Sequence, residues 1–215
     1  MFDFFKKNKE NKEKINDFRS SLLMNSDSKD KFLNKESNMI ELFGESKKLN
    51  KKLNLLVVCD TNNSLDELRF ADYIYRNNKY DACIILGNVG INDIEVINKY
   101  VDKNRLYSTQ VFDNIKNIDG DFLKINGVSI LIVGKKKFSQ EESIKFFDDL
   151  KEADVLLTYD SKYKIDGGFF GIDYYLYKNK VPYFVHGNMF KNFKDTLKNG
   201  TVEIGTFEYE YLELE

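Results

Sequence analysis

The sequence predicts an α/β protein in which mixed β-sheets form a layered sandwich flanked by helices. From Leu53 onward, apolar runs that fit buried strands alternate with amphipathic segments that fit helices. A predicted hairpin interrupts this alternation, and strand-like segments close the chain. A plain doubly wound sheet would show neither of these two features.

The chain has 215 residues, of which 42% are hydrophobic, enough for one folded domain and an appendage. Cys59 and Cys83 both lie in apolar runs, which is typical of reduced, packed thiols. No apolar stretch is long enough to span a bilayer, and the N-terminal residues do not resemble a signal peptide. We therefore expect a cytoplasmic protein. Its Lys- and Asn-rich composition suggests an AT-rich coding source, such as a bacterium or a phage.

Residues 1–52 differ from the remainder in charge and polarity. They hold 13 Lys+Arg against 9 Asp+Glu, whereas residues 53–215 hold 20 against 26. The apolar residues at helical spacing in this segment are Ile15, Phe18 and Leu22, followed by Met39, Ile40, Leu42 and Phe43. We predict a charged arm over residues 1–52 that is partly helical or disordered, and a folded body over residues 53–215. Three aromatics beside lysines at residues 1–7 fit contact with an anionic membrane surface or a partner, and the alternative is a solvated arm.

Apolar runs and turn signals predict the strands of the body. Leu53–Cys59 is a continuous apolar run, as expected of a strand covered on both faces. Asn126-Gly127 supplies the positive φ angles of a tight type I′ hairpin. The predicted strands cover residues 53–59, 82–86, 105–107, 122–125, 128–133, 155–159, 183–186, 202–205 and 209–214.

Capping boxes predict where two of the helices begin. Ser64 with Glu67 opens one helix, and Ser139 with Glu142 opens another that runs to Leu150. The first helix is predicted to bury one face, formed by Leu65, Leu68, Ala71, Ile74 and Tyr75. Further helices are predicted near residues 94–100 and 174–177.

Polar residues follow several predicted strands, at the sheet edge where open α/β proteins bind ligands. These loops read Asp60-Thr61-Asn62, Gly87-Asn88-Val89-Gly90, Tyr159-Asp160-Ser161 and His186-Gly187-Asn188-Met189-Phe190. Their order and spacing resemble the calcineurin-like metallophosphoesterase family. Segments 118–128, 154–158 and 200–205 are similar to the family's central hairpin, to the strand before its metal-binding histidine and to its closing strand. The resemblance covers most of residues 53–215.

The resemblance implies a site in which two metal ions share a bridging carboxylate and a bound hydroxide attacks phosphorus. The family's motifs are Asp-x-His, Gly-Asp, Asn-His-Asp or Asn-His-Glu, a later His, and Gly-His-x-His. Asp60 matches the first acidic residue. Asn62 replaces the first histidine, Asn88 the bridging aspartate, Tyr159 the later histidine, and Asn188 and Phe190 the last two histidines. The central loop, from Ser108 to Asp113, has no Asn-His pair.

These residue types cannot assemble a two-metal site. The single histidine, His186, matches the position before the glycine of the last motif, which is not a ligand. A neutral Asn88 cannot offset the repulsion between two cations, and Phe190 offers no lone pair. We expect no metal cofactor and a set of polar residues that bond one another. The alternative is a single Mg²⁺ or Ca²⁺ held by oxygens of Asp60, Asn62, Asn88, Asp160 and Asn188.

Three other features are interpreted as structural. His186 ends a predicted strand, and neither cysteine has a nearby histidine in the sequence to activate it as a nucleophile. The run Lys135-Lys136-Lys137 fits a solvated turn, with phosphate binding as the alternative. The net negative charge of the body argues against a nucleic-acid groove.

We interpret the chain as a catalytically inactive relative of the metallophosphoesterases that acts as a protein-binding or scaffold module. The expected partner is another protein, bound through the arm or through the crevice that the loops after the strands are predicted to form. Self-association is a further option. One alternative is a phosphodiesterase or phosphatase that uses a single cation at Asp60 and Asp160. Another is a protein that binds nucleotides or phosphate without cleaving them.

Overall fold

The computed structural model describes residues 39–40, 42–162 and 168–215. The predictions for Ile15, Phe18 and Leu22 and for residues 1–7 lie outside the described residues. The described part of the chain forms two mixed β-sheets that pack face to face, with helices against the outer face of each. The predicted layered α/β sandwich is confirmed.

The first sheet combines parallel strands with one antiparallel edge strand. Its strands are β1 (Leu53–Cys59), β2 (Ala82–Gly87), β3 (Leu106–Ser108), β4 (Lys116–Asn117) and β11 (Glu208–Leu214). Their order across the sheet is β11-β1-β2-β3-β4. β1 runs parallel to β2 and antiparallel to β11, so that Leu55 lies between Ala82 and Leu212.

The second sheet has antiparallel strands at both edges. Its strands are β5 (Asp121–Ile125), β6 (Val128–Val133), β7 (Val155–Thr158), β8 (Tyr183–His186), β9 (Phe193–Thr196) and β10 (Val202–Gly205). Their order is β5-β6-β7-β8-β10-β9, and the four central strands are mutually parallel. The sequence reading missed the short strands β4 and β9, whose residues are mostly exposed and carry little apolar signal.

The helices cover the outer faces of the two sheets. Besides helical residues at 39–40 and 42–43, the described ranges contain α1 (Glu67–Arg76), α2 (Ile91–Tyr100), α3 (Gln140–Asp149) and α4 (Phe170–Asn179). α1 and α2 pack on the first sheet, and α3 and α4 pack on the second. None of the helices in these ranges has the length and apolar character needed to cross a membrane.

The alternation of side chains along β1 explains why its whole length is apolar. Leu55, Val57 and Cys59 point into the space between the sheets, whereas Leu56 and Val58 pack under α1 and α2. Both faces are therefore covered, as the continuous apolar run predicts. This packing places the residue after β1 at the end of a rigid strand.

Local sequence signals fixed two further features correctly. Asn126 and Gly127 have φ angles of 52° and 82° and connect β5 to β6 as the predicted hairpin. The Ser139 side chain accepts from the Glu142 backbone N–H, and the Glu142 carboxylate accepts from the Ser139 backbone N–H. These two bonds form the predicted capping box of α3. Ile144 and Phe147 of this helix are buried.

The predicted start of the first helix is wrong, and its predicted buried face is correct for Ile74 but wrong for Leu68 and Tyr75. The Ser64 hydroxyl donates to the Thr61 carbonyl within the preceding turn, and Asp66 caps α1 instead by accepting from the Arg69 N–H. The cap shifts by two residues, because the Ser64 side chain is used by the turn. Phe70 and Ile74 form the buried face, whereas the Leu68 and Tyr75 side chains are exposed.

Residues 39–40 and 42–52 include several that contact the body. Met39 is buried beside α3 and α4, and the Phe43 ring meets Tyr174 edge to face with centroids 6.1 Å apart. The Ser46 N–H donates to the carbonyl of Asn199, 2.6 Å away. The described end of the predicted arm is therefore packed, and the position of the boundary between arm and body stays a prediction.

Candidate functional site

The candidate site lies where strands of both sheets end. Asp60 and Asn88 follow β1 and β2 of the first sheet, and Tyr159 and Asn188 follow β7 and β8 of the second. The carboxyl ends of these parallel strands meet at one edge of the sandwich, as predicted from the order of the loops. The side chains of Asp60, Asn88 and Tyr159 meet there with the backbone of Asn188.

The Asp60 carboxylate is the centre of this group. Its Oδ1 accepts a 2.7 Å hydrogen bond from the Tyr159 hydroxyl and a 3.1 Å bond from the Asn88 side-chain amide. Its Oδ2 accepts a 2.8 Å bond from the Asn188 backbone N–H. Three donors from both sheets thus converge on one carboxylate, and charge-assisted hydrogen bonds of this kind are the strong ones.

The backbone of these loops explains their asparagine content. Asp60, Asn62, Asn88 and Asn188 all have left-handed φ angles, of 56°, 46°, 54° and 56°. Asn and Asp tolerate this region better than other non-glycine residues. The Asp60 and Asn62 N–H groups donate to the carbonyls of Gly87 and Asn88, both at 3.1 Å, so the two loops of the first sheet are fixed to each other.

Tyr159 is held as a neutral hydrogen-bond donor. Its side chain is buried. Burial is the largest cause that raises the pKa of its hydroxyl above the ordinary value, and the hydrogen bond to Asp60 is the second. Gly87 allows the ring to sit this close, since a Cβ at residue 87 would lie 2.7 Å from the ring edge. The Lys135 ammonium lies 5.2 Å from the ring centroid on the outer side.

The three hydrogen-bond donors around Asp60 leave its carboxylate poorly suited to bind metal ions. The O–H and N–H groups that face the carboxylate occupy the lone pairs that a cation would need. Asn88 directs its NH₂ group, and not its carbonyl oxygen, toward Asp60. No cluster of three His, Cys, Asp or Glu suited to a metal occurs within residues 39–40, 42–162 and 168–215. The residues present do not fit a two-metal centre.

The Asp160 carboxylate bonds to a neighbouring loop and not to the Asp60 group. Its Oδ2 accepts from the Lys136 N–H at 3.0 Å, and burial raises the pKa of its carboxyl. The Lys136 ammonium pairs with Asp119 at 2.7 Å, and Asp119 also accepts from the Gly134 N–H at 2.8 Å. Asp160 and Asp119 therefore hold the lysine-rich loop after β6.

His186 belongs to a separate buried cluster. Its ring is fully buried, stacks on Phe184 and places Nε2 at 3.4 Å from the Glu203 carboxylate. The Lys162 ammonium reaches the other oxygen of Glu203 at 3.1 Å. Burial alone would raise the pKa of Glu203, but His186 and Lys162 outweigh that effect and lower it. The side chain of His186 lies on the helix-covered face of its sheet.

The remaining predicted positions do not join Asp60. Among the described residues, Asn62, Asp113 and Phe190 have exposed side chains that form no hydrogen bond or ion pair with Asp60.

The two cysteines are buried, and burial raises the pKa of Cys59 to about 12 and that of Cys83 as well. Neither thiol is therefore ionised near neutral pH, which agrees with the expectation that they are structural.

Sequence reasoning missed the residue that fixes the loop after β1. Asp93 is buried in the first turn of α2 and accepts from the Thr61 hydroxyl at 2.6 Å and from three backbone N–H groups. Those groups belong to Asn63 at 2.7 Å, Leu65 at 2.9 Å and Gly90 at 3.3 Å. An acidic residue three positions after the Gly90 N-cap was the available signal.

Comparisons with solved structures find chains that are similar in fold to this one. No protein-family model matches the sequence, and no curated protein matches it. One crystal structure aligns with 76% of this chain and 95% of its own, at 13% identity and a TM-score of 0.50. A predicted phosphoesterase from Streptococcus pneumoniae TIGR4 aligns over 78% and 86% of the two chains, at 12% identity and a TM-score of 0.43. Vps29 from Entamoeba histolytica, solved with zinc, aligns over 71% and 73%, at 10% identity and a TM-score of 0.40. At such identities the likeness concerns the fold alone.

Proposed function

We propose that this protein is a metallophosphoesterase-like pseudoenzyme that binds another protein instead of hydrolysing a phosphoester. One observation carries the proposal: the Asp60 carboxylate is bonded by Tyr159, Asn88 and the Asn188 N–H. Asp60 matches the first acidic residue of the family's motifs. Its carboxylate is thus engaged in a hydrogen-bond network. The network joins the two sheets at the point where the reaction would take place.

The chemistry of these groups supports the loss of hydrolysis. Attack on phosphorus by a metal-bound hydroxide needs an ion to generate the nucleophile and to stabilise the developing charge. Asn88 supplies no negative charge, and Tyr159 stays protonated because burial and Asp60 raise its pKa. Among the described residues that bond to Asp60, no other group is a base suited to activate water near neutral pH.

The surface around the crevice supports a protein partner. Ile91, Val111 and Phe190 are large apolar residues with exposed side chains. All three lie in segments that follow strands of the site, namely after β2, β3 and β8. Apolar residues around a polar centre are typical of protein-binding surfaces.

Lys135 favours a second candidate, the binding of a phosphorylated ligand without cleavage. Its ammonium lies over the Tyr159 ring and forms no ion pair among the described residues. A cation placed beside the Tyr159 ring could bind a phosphate group. We treat this as an alternative because the Asp60 carboxylate lies close to the same position and repels anions.

A metal and hydrolysis assay on the full chain tests the proposal. The wild-type protein and its Asp60→Asn and Asp113→Asn variants are incubated with Mn²⁺, Mg²⁺, Zn²⁺ or Ca²⁺ and desalted. Bound metal is then measured, together with hydrolysis of bis(p-nitrophenyl) phosphate. We expect neither stoichiometric metal nor hydrolysis above background. Activity lost in Asp60→Asn but kept in Asp113→Asn would show a working single-metal enzyme and overturn the proposal.

A thermal-shift screen separates the second candidate from the first. A ligand present at about 100 times its dissociation constant adds about 2.7 kcal/mol of stability, which raises the melting temperature measurably. Stabilisation by a nucleotide that disappears in Lys135→Ala would favour the phosphate-binding function. The proposed protein partner is instead tested by crosslinking in extracts of the native cells, with Phe190→Asp expected to reduce the crosslinked product.

A further inference from the structure

A cavity opens between the two sheets on the side of the sandwich where β11 and β9 are the edge strands. Its volume is about 420 Å³, and sites for small molecules usually measure about 300–1,000 Å³. β11 forms one wall, and β9 and β10 form the other. None of the described residues of the Asp60 group lines this cavity, so it is separate from the candidate site.

The strand register places a carboxylate in this opening. Glu210 of β11 pairs with Val57 of β1, and the Val57 side chain belongs to the apolar cluster between the sheets. Paired residues of neighbouring strands share a face, so Glu210 points into the same space. Leu212, two residues further along β11, belongs to that cluster as well. A carboxylate on the core face of a strand is unfavourable unless it has a partner.

Glu210 has no cationic partner within the described part of the chain. Its carboxylate accepts a hydrogen bond there from the Asn192 side-chain amide, and the Asn192 oxygen accepts in turn from the Phe207 N–H at 2.6 Å. Burial raises the pKa of the Glu210 carboxyl, and the bond from Asn192 opposes this rise without cancelling it. The carboxylate is therefore held in a fixed direction with an acceptor left for a cationic group.

A lysine faces the same cavity from the second sheet. Lys194 of β9 pairs with Ile204 of β10, whose side chain packs between the sheets, so Lys194 lies on that face too. Lys194 and Glu210 both line the cavity, but among the described residues Lys194 forms no ion pair with Glu210 or with another carboxylate. Opposite charges that are held apart across a cavity complement a ligand that carries both signs.

Aliphatic side chains complete the walls of the cavity. Ile204 and Leu212 line it from opposite sheets, and both belong to the apolar cluster between the sheets. A ligand that matches the whole cavity therefore combines an ammonium group, a carboxylate and an aliphatic body. Free α-amino acids with aliphatic side chains have this combination.

We propose that this cavity binds a free aliphatic α-amino acid, with its ammonium group at Glu210 and its carboxylate at Lys194. The inference is independent of the proposed function, because the cavity shares no residue with the Asp60 group. A peptide segment that covered the same edge would have its backbone amino and carboxyl groups in amide bonds. It would therefore bring neither of the two backbone charges that the cavity complements.

Isothermal titration calorimetry of the full chain with L-leucine tests the site. We expect saturable binding with one site per chain. Three analogues show which groups are recognised: 3-methylbutylamine lacks the carboxylate, 4-methylpentanoate lacks the ammonium group, and N-acetyl-L-leucinamide lacks both charges. Each analogue should bind at least about tenfold more weakly than L-leucine, because it loses one or both charge-assisted contacts.

Two substitutions locate the bound ligand. Glu210→Gln and Lys194→Met should each weaken L-leucine binding by about tenfold or more. Glu210→Gln should also abolish the preference for L-leucine over 4-methylpentanoate, whereas a merely structural change would weaken both ligands alike. Glu95→Gln and Lys103→Met are matched controls, since they make the same changes at exposed positions outside the cavity, and they should leave the dissociation constant unchanged. Circular dichroism and melting temperatures confirm that each variant folds.

Three results would overturn the site. The first is the absence of saturable L-leucine binding up to about 10 mM, a concentration that detects even millimolar affinity. The second is equal binding of N-acetyl-L-leucinamide, which would show that the backbone charges are not recognised. The third is L-leucine binding that is unchanged in both Glu210→Gln and Lys194→Met, which would place the ligand elsewhere.

Discussion

The Tyr159 hydroxyl donates a 2.7 Å hydrogen bond to Oδ1 of Asp60, and the two residues belong to opposite layers of the sandwich. Asp60 directly follows β1 of the first sheet, and Tyr159 directly follows β7 of the second. The bond therefore ties the two sheets together at the edge where the Asp60 group lies. We expect this bond to contribute to the stability of the fold.

Tyr159→Phe tests this contribution. Removing the hydroxyl deletes a charge-assisted hydrogen bond at a partly buried carboxylate, and we expect the free energy of unfolding to fall by about 1.5–3 kcal/mol. Urea denaturation measures the change. Tyr175→Phe is the matched control, because the Tyr175 hydroxyl donates to a neutral carbonyl, that of Lys151, at 2.6 Å. The control should lose only about 1 kcal/mol, and equal losses in the two variants would contradict a special role for Asp60.

Asn88→Asp should recreate part of a cation site. The new carboxylate would replace the amide that donates to Asp60 at 3.1 Å, so two negative charges would face each other. With EDTA present at neutral pH, we expect a loss of about 1–3 kcal/mol of stability from the repulsion and the missing hydrogen bond. Mn²⁺ should raise the melting temperature of this variant but leave that of the wild-type protein nearly unchanged.

The control for this substitution is Asn114→Asp. Asn114 also has a left-handed backbone, with φ of 63°, and it is exposed in the loop between β3 and β4. Its variant carries the same charge change away from Asp60, so Mn²⁺ should not stabilise it. Equal stabilisation of both variants would mean that the ion binds nonspecifically.

Asp93→Ala should be among the most destabilising single substitutions at the crevice. It leaves the buried Thr61 hydroxyl and the partly buried N–H groups of Asn63 and Leu65 without their acceptor. We expect a loss of about 3 kcal/mol or more, measured by chemical denaturation. Asp113→Ala removes an exposed carboxylate from another strand-end loop and should change stability by less than about 0.5 kcal/mol. A mild effect of Asp93→Ala would show that this carboxylate does not fix the loop after β1.

The sequence predicted the fold well because its signals are local. The apolar run of β1, the Asn126-Gly127 turn and the Ser139 cap each specify structure from neighbouring residues alone. The first helix shows the limit of such signals. Ser64 has the correct spacing to Glu67, but its hydroxyl is used in a turn that the loop requires.

The sequence predicted the members of the site correctly only where a residue's position after a strand decides where its side chain or backbone lies. Asp60, Asn88, Tyr159 and Asn188 meet because each follows a parallel strand. His186 does not, since it shares a face with Phe184 two residues earlier and points toward α4 and Glu203. Asp160 follows Tyr159 by one residue and points to the Lys136 loop. The direction of a side chain depends on the layers around its strand, which spacing alone does not give.

The buried ion cluster at Glu203 should make the protein sensitive to acid. Because His186 and Lys162 hold the pKa of Glu203 below its unfolded value, the carboxylate stabilises the fold above the unfolded pKa of about 4.3. That stability is lost as the pH falls through the lower, folded pKa. Glu203→Gln should therefore cost about 3 kcal/mol at pH 7 and progressively less as the pH falls below about 4.3, because the wild type then loses the same interaction. Parallel stability curves for the two proteins from pH 7 to pH 3 would contradict the assignment.

Met39 tests whether the segment before β1 belongs to the folded body. Its side chain is 1% exposed and packs in the core cluster that includes α3 and α4, so Met39→Ala should reduce the free energy of unfolding by about 2–4 kcal/mol. Leu68→Ala removes a similar volume from an exposed position and should cost less than about 1 kcal/mol. Deletion of residues 1–50 removes Met39 together with the Phe43 ring that meets Tyr174, and it should lower the melting temperature further than Met39→Ala does. If instead the 51–215 fragment melts with the full chain, residues 39–50 are an appendage and the body begins at β1, as the sequence alone predicts.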